Sequence, residues 1–333
     1  MLYGDRQPRH YGTALSHALG GNEPLQGVSA YHCAEPIPHW HFVTYGFSEL
    51  HEKESGDPEV SGYGFELTLR LRDDGDSAEP PMWALNFLQN LARYVFGSGN
   101  VFEAGHYLNA NGPIALGRET RIRSVAFVHD PLLAPIATEN GRVEFLQVVG
   151  LTDDEEAALK RWSADKALEV YLRQMPSGVI DLTRASLLED PAIAALLHAG
   201  AARDGSSTAH IFIGGLSWRR RKRWLRASVI EVGIGAREVR ELRDLLPLRL
   251  AHGRSFDLIG DTARVSFVAG SNAVLATDEG LRIAVDERTA CEIATLLQPR
   301  AGTYAPASVA GLTFRVDRSE IRDSTGRIVE TIG

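Results

Sequence analysis

From Gly62 to Leu71 apolar and polar residues alternate. Phe65, Leu67, Leu69 and Leu71 fall on one face, and Glu66, Thr68 and Arg70 on the other. A period of two predicts a half-buried strand. Upstream, His39–Phe47 is aromatic and β-branched and predicts a second strand, separated from the first by a polar Gly/Pro loop over 52–60. Gly27–Ala34, Arg121–His129 and Val143–Gly150 read as further strands. A different spacing marks residues 80–96: Ala84, Phe87, Leu88, Leu91 and Val95 form a helical stripe behind Pro80-Pro81, whose missing N–H costs little in a first turn. Thr152 and Glu155 form a T-x-x-E box that predicts a helix to about Gln174, ended by Pro176-Ser177-Gly178. Short helices are also expected over 10–19 and from Pro191 to Ala202.

The second half carries shorter apolar runs. Strands are expected at 208–217, 225–233, 254–259, 263–269, 272–277 and 281–285. Asp286 caps a helix to about Leu297, and Thr325-Gly326 turns between two last strands. Strands and helices intermix without regular βαβ alternation, which predicts an α+β fold of mixed or antiparallel sheets flanked by helices. At 333 residues the chain is long enough for two domains, placed at 1–220 and 221–333.

Composition adds boundaries rather than a function. Hydrophobic residues make up 44% and charged residues 23%, enough for a packed core. No run approaches the roughly 20 apolar residues of a membrane span. Met1–His10 lacks the apolar centre of a secretory signal, so the cytoplasm is expected. Two cysteines, Cys33 and Cys291, make no disulfide framework and read as free thiols. Only four of the 35 basic residues are Lys, a skew that suggests a GC-rich bacterial source.

Three features could carry chemistry. His39-x-His41 puts two imidazoles on one strand face, and Glu66 could join them in a metal-dependent enzyme, but a zinc ion takes about four ligands. Taken alone, Glu66 inside an apolar strand could be a general acid or base; the alternation favours a residue that faces solvent or pairs with an Arg. Arg219–Arg223, flanked by Trp218 and Trp224, could bind nucleic acid, although the net charge of −8 opposes it and a solvated hairpin or connection is the simpler reading. No G-x-x-x-x-G-K-[ST] or G-x-S-x-G motif occurs, so neither a cofactor nor a catalytic residue is expected.

Longer stretches resemble the Suppressor of fused family: HWHFVTYGFSEL (39–50), GYGFELTLRL (62–71), the helix from Pro80-Pro81-x-Trp83 to LARYVF (91–96), and VEFLQVVG (143–150). HGRSF (252–256) and ARVSFV (263–268) resemble its C-terminal part, and the likeness spans roughly residues 15–297. It implies two α+β domains joined by a hinge. It also implies a non-enzymatic protein that grips a partner segment between them as an added strand. Tyr94 matches a family tyrosine that lines the peptide cleft. His106 stands where animal members carry an Asp that contacts a histidine of a Gli-type peptide; without the carboxylate, such a peptide is not expected. The long acidic insertion of animal members is absent, as in compact bacterial relatives. Those include immunity proteins, so a cognate toxin is an expected partner.

Overall fold

Alternating apolar residues draw the first half of the chain into one large sheet. Its strands are β1 (Arg9–Gly12), β2 (Gly27–Cys33), β3 (His39–Tyr45), β4 (Val60–Arg72), β5 (Tyr107–Asn109), β6 (Ile122–His129), β7 (Ile136–Thr138) and β8 (Gly141–Thr152). They lie in the order β1-β2-β3-β4-β8-β6-β5, with β7 paired to β8. β4 and β8 run parallel; the other pairs are antiparallel. The structure, a computed structural model, describes residues 3–4, 7–13, 21, 23–49, 51–75, 78–223, 226–322 and 327–333. The helix expected over 10–19 is corrected at its start, where β1 pairs with β2; residues 14–20 lie outside the described residues.

Helix α1 (Met82–Ser98) lays Leu88, Leu91 and Val95 onto Phe65, Leu67, Leu69 and Leu71, all buried. Each such side chain contributes roughly 1.5–3 kcal/mol. Gly99, at φ 73°, ends the helix in the left-handed region and donates its N–H to Val95 O. The helix expected over 152–174 is in fact two, α2 (Asp153–Arg161) and α3 (Ala164–Leu172). Glu155 Oε2 accepts from the Thr152 N–H at 2.9 Å, as the box requires, but the Thr152 hydroxyl bonds Asp154 instead of completing it. Ser163 O accepts the Ala167 N–H, so a new helix starts at the break.

The second set of elements is α4 (Pro191–Asp204), β9 (His210–Phe212), β10 (Ser217–Arg223), β11 (Arg226–Gly235), α5 (Ala236–Leu250), β12 (Phe256–Ile259), β13 (Arg264–Ala269), β14 (Ala273–Thr277), β15 (Gly280–Val285), α6 (Glu287–Leu296), β16 (Gly302–Tyr304), β17 (Leu312–Asp317), β18 (Ser319–Arg322) and β19 (Ile328–Ile332). They build sheets of order β14-β15-β13-β12-β9 and β10-β11-β17-β16, and the pair β18–β19. Their core gathers Val239, Leu242, Leu246, Phe256, Phe267, Ile283, Ile293 and Phe314. Helix α5 has no counterpart in the sequence reading, although Val239, Leu242, Leu246 and Leu250 follow helical spacing. Asp286 caps α6 as expected, accepting from Thr289 N–H at 2.7 Å. Thr325-Gly326 lies outside the described residues.

The fold is α+β, with several sheets and six helices among the described residues. Compactness divides the chain into two units: residues 1–156 with 168–190, and 157–167 with 191–333. The boundary expected near 220 falls inside β10, whose partner β11 lies in the same unit.

Candidate functional site

Tyr94 sits on the last turns of α1, at the border of the stripe that packs on the sheet. It is 40% exposed. Its ring stacks on Phe102 at 5.7 Å between centroids, and Phe102 stacks on Phe127 of β6 at 4.0 Å. Asn100 Nδ2 donates to the Tyr94 hydroxyl at 3.2 Å. A phenol held at both ends has little rotamer freedom left to lose when a partner covers it.

His106 closes the turn that begins at Glu103. Its N–H donates to Glu103 O, and its Nδ1 accepts the Glu103 N–H at 3.2 Å. That bond places the ring proton on Nε2, on the half-exposed side of the imidazole, 3.9 Å from the Glu103 carboxylate. His106 O accepts the Phe127 N–H at 2.9 Å. Tyr94 and His106 are thus both tied to Phe127, Tyr94 through the Phe102 ring and His106 through its backbone carbonyl. His106 also immediately precedes β5, the edge strand of the large sheet. The two give an aromatic face and an imidazole N–H donor beside a sheet edge, an arrangement suited to holding an extended chain.

His39, His41 and Glu66 are brought to one sheet face, but they do not form a metal site. All three are buried. His39 Nδ1 bonds Ile37 O at 2.7 Å, and His41 Nδ1 bonds the Tyr3 hydroxyl at 2.7 Å. Burial lowers both histidines, His41 to about 4, which leaves them neutral at pH 7. Glu66 accepts from the Thr44 and Ser48 hydroxyls and from the N–H groups of Gly46 and Ser48. The expectation that it meets solvent or an arginine is thus corrected: its partners are hydroxyls and amides on and after β3. Burial outweighs those bonds and pushes its carboxyl up to about 7. Among the described residues, no group of three or more His, Cys, Asp or Glu could hold a metal ion.

The same face contains a group that sequence reasoning missed. Arg70, fully buried, donates to Asp130 Oδ1 at 2.8 Å and to Gln147 Oε1 at 2.6 Å. Thr68 donates to Asp130 Oδ2, and the N–H groups of Leu132 and Leu133 donate to Oδ1. Burial alone would raise the Asp130 carboxyl; the side chains of His41, Arg70 and Thr68 hold it far below the usual range instead. His41 Nε2 lies 3.7 Å from Asp130 Oδ2, beyond hydrogen-bond reach. Arg70, Thr68, Asp130 and Gln147 tie strands and turns together, while His41 Nε2 and Arg70 Nε have no hydrogen-bond partner among the described residues.

The Suppressor of fused protein family model matches residues 21–185. The human (Homo sapiens) Suppressor of fused homolog is 34% identical over 224 residues, which cover 62% of this chain and 46% of that protein; the mouse (Mus musculus) homolog gives the same values. Residues 21–185 make this chain a member of the Suppressor of fused family. It spans about half the length of these curated relatives. Drosophila Suppressor of Fused superposes with a TM-score of 0.74 over 95% of this chain and 94% of that one, at 21% identity, which establishes a shared fold. The Sufu-Fu complex crystal structure aligns at a TM-score of 0.53 and 29% identity, covering 59% of this chain and 92% of that chain.

Tyr94, His106 and the network around Arg70 all lie in the segment matched to Suppressor of fused. The arginine run lies outside it, on β10. Arg219 and Arg221 both bond Glu231 Oε1, at 2.6 Å and 2.9 Å, so part of the positive charge is neutralised within the hairpin. Trp224 lies outside the described residues. In this Suppressor of fused chain no described helix is long and apolar enough to cross a membrane.

Proposed function

We propose that this protein is a non-enzymatic binding protein of the cytoplasm that holds a segment of a protein partner, with Tyr94 and His106 among its contacts. The carrying observation is that both are tied to Phe127, Tyr94 through the Phe102 ring and His106 through its backbone carbonyl, beside the edge strand β5. Family membership supports the reading, and so does the existence of a Sufu-Fu complex for a relative. A segment added at a sheet edge gains affinity from main-chain bonds, while an aromatic side chain and a hydrogen-bond donor select its sequence. Its seating between two domains rests on the family resemblance alone. So does the narrower reading of an immunity protein, whose partner is a cognate toxin. His106 in place of an Asp turns selection away from a Gli-type segment.

The test is affinity purification of the tagged protein from its native cell extract with mass spectrometry, followed by reconstitution from purified components. The expected result is one stoichiometric protein partner that rebinds in isolation. Recovery of only a metal or small molecule, with no protein that rebinds, overturns the reading.

A further inference from the structure

Phe96 stands two positions after Tyr94 on α1, about 200° around the helix. It therefore faces away from Tyr94, and it lines a separate cavity of about 640 Å³. That volume is within the roughly 300–1,000 Å³ usual for ligand sites. Three rings line the cavity. Phe47, Tyr63 and Phe96 form a triangle with centroids 6.5, 5.0 and 6.1 Å apart. His51, Glu52 and Glu54 line it from the polar loop, all exposed.

The charge of this loop is divided in a telling way. Glu49 also lines the cavity, but its carboxylate accepts from the N–H groups of Glu54 and Ser55 and from the Ser55 hydroxyl. Burial opposes its ionisation, yet those donors lower its carboxyl to about 2. Its role is to fold the loop. Lys53, the loop's cation, donates to Val60 O and Asn140 O, each at 2.8 Å, and to Ser55 Oγ at 3.0 Å. It does not line the cavity, and among the described residues no other Lys or Arg does. The side-chain carboxylates of Glu52 and Glu54 take no hydrogen bond or ion pair among the described residues. Phe47 backs the cavity from the core, and the half-buried rings of Tyr63 and Phe96 offer an aromatic surface edged by the two carboxylates, while Lys53 is held by its carbonyl partners and by Glu49 Oε2 at 3.5 Å.

We propose that this cavity receives an arginine side chain of a partner protein. A guanidinium is attracted to aromatic faces, stacks flat on them, and presents N–H donors around its edge for the carboxylates. An anion is repelled by Glu52 and Glu54, and a neutral ring leaves them unused. This inference does not rest on the Tyr94 and His106 site.

The test is NMR titration of the isotope-labelled full chain with acetyl-Gly-Arg-Gly-amide and with its neutral citrulline counterpart. The arginine peptide is expected to shift the ring resonances of Phe47, Tyr63 and Phe96 saturably. The citrulline peptide is expected to bind about tenfold more weakly, as is the arginine peptide to the Glu52→Gln/Glu54→Gln variant. Both carboxylates are exposed, so that variant keeps the fold. Absence of saturable shifts, equal binding of citrulline, or binding unchanged by the double substitution overturns the proposal. A lysine counterpart that binds as tightly as arginine overturns the guanidinium assignment.

Discussion

Strands β4 and β13 read alike in sequence and end in opposite surroundings. Each is central in its sheet, and each alternates. Phe65, Leu67 and Leu69 of β4 match Val265 and Phe267 of β13 as buried apolar positions. On the second face, Arg264 is exposed and Ser266 half-buried, while Glu66, Thr68 and Arg70 are all buried. The difference comes from distant pieces of chain. Tyr3, the turn after Asp130 and the turn at Ser177-Gly178 meet the polar face of the large sheet. Alternation fixes which side chains share a face; remote segments decide whether that face meets water. A polar residue inside a strand is therefore a poor guide to a functional site, and here the candidate contacts lie at the exposed border instead.

The contrast is broken most directly at the two arginines. Arg70→Ala leaves Asp130 charged, buried and without its main partner, a loss of about 3–5 kcal/mol. Urea unfolding measures it. A loss no larger than that of Arg264→Ala contradicts the comparison. Next is pH. The Glu66 carboxyl is raised from 4.5 to about 7 in the fold, so its stabilisation is complete below pH 4.5 and fades as pH rises through 7. The loss is on the order of 3 kcal/mol once pH exceeds 7. Glu66→Gln, which can donate to Thr44 Oγ1, should flatten that slope; an unchanged slope in unfolding experiments from pH 4 to 8 refutes the assignment.

Smaller effects sharpen the picture. Tyr3→Phe removes the hydroxyl partner of His41 Nδ1 and should cost about 1–3 kcal/mol in the same assay. Arg264→Ala breaks a pair with Asp257 whose arginine is half exposed and screened by solvent, and should change stability little, less still in high salt. If Tyr3→Phe proves neutral, Tyr3 does not help to seal the polar face.

Much of the fold was legible because packing and pattern agree. The stripe through Leu88, Leu91 and Val95 located α1, and it left Tyr94 at the border. The break between α2 and α3 was signalled only by Ser163 followed by Asp165, a weak cap inside an otherwise helical run. The Arg70–Asp130 pair left no trace, because 60 residues separate its members and their register depends on β4, β8 and β6 lying side by side. The acidic aromatic cavity was equally hidden. Its carboxylates read only as a polar loop, and its rings come from β4, α1 and the segment after β3.

The most direct test of the central claim measures partner affinity for the Tyr94→Ala/His106→Ala double variant beside the wild type, by calorimetry with the purified partner. Both side chains are substantially exposed, so melting temperatures should agree closely. The account predicts affinity at least about tenfold weaker, as for removal of an interface hot spot. Unchanged affinity in a variant that folds normally would contradict it and move the partner to another surface.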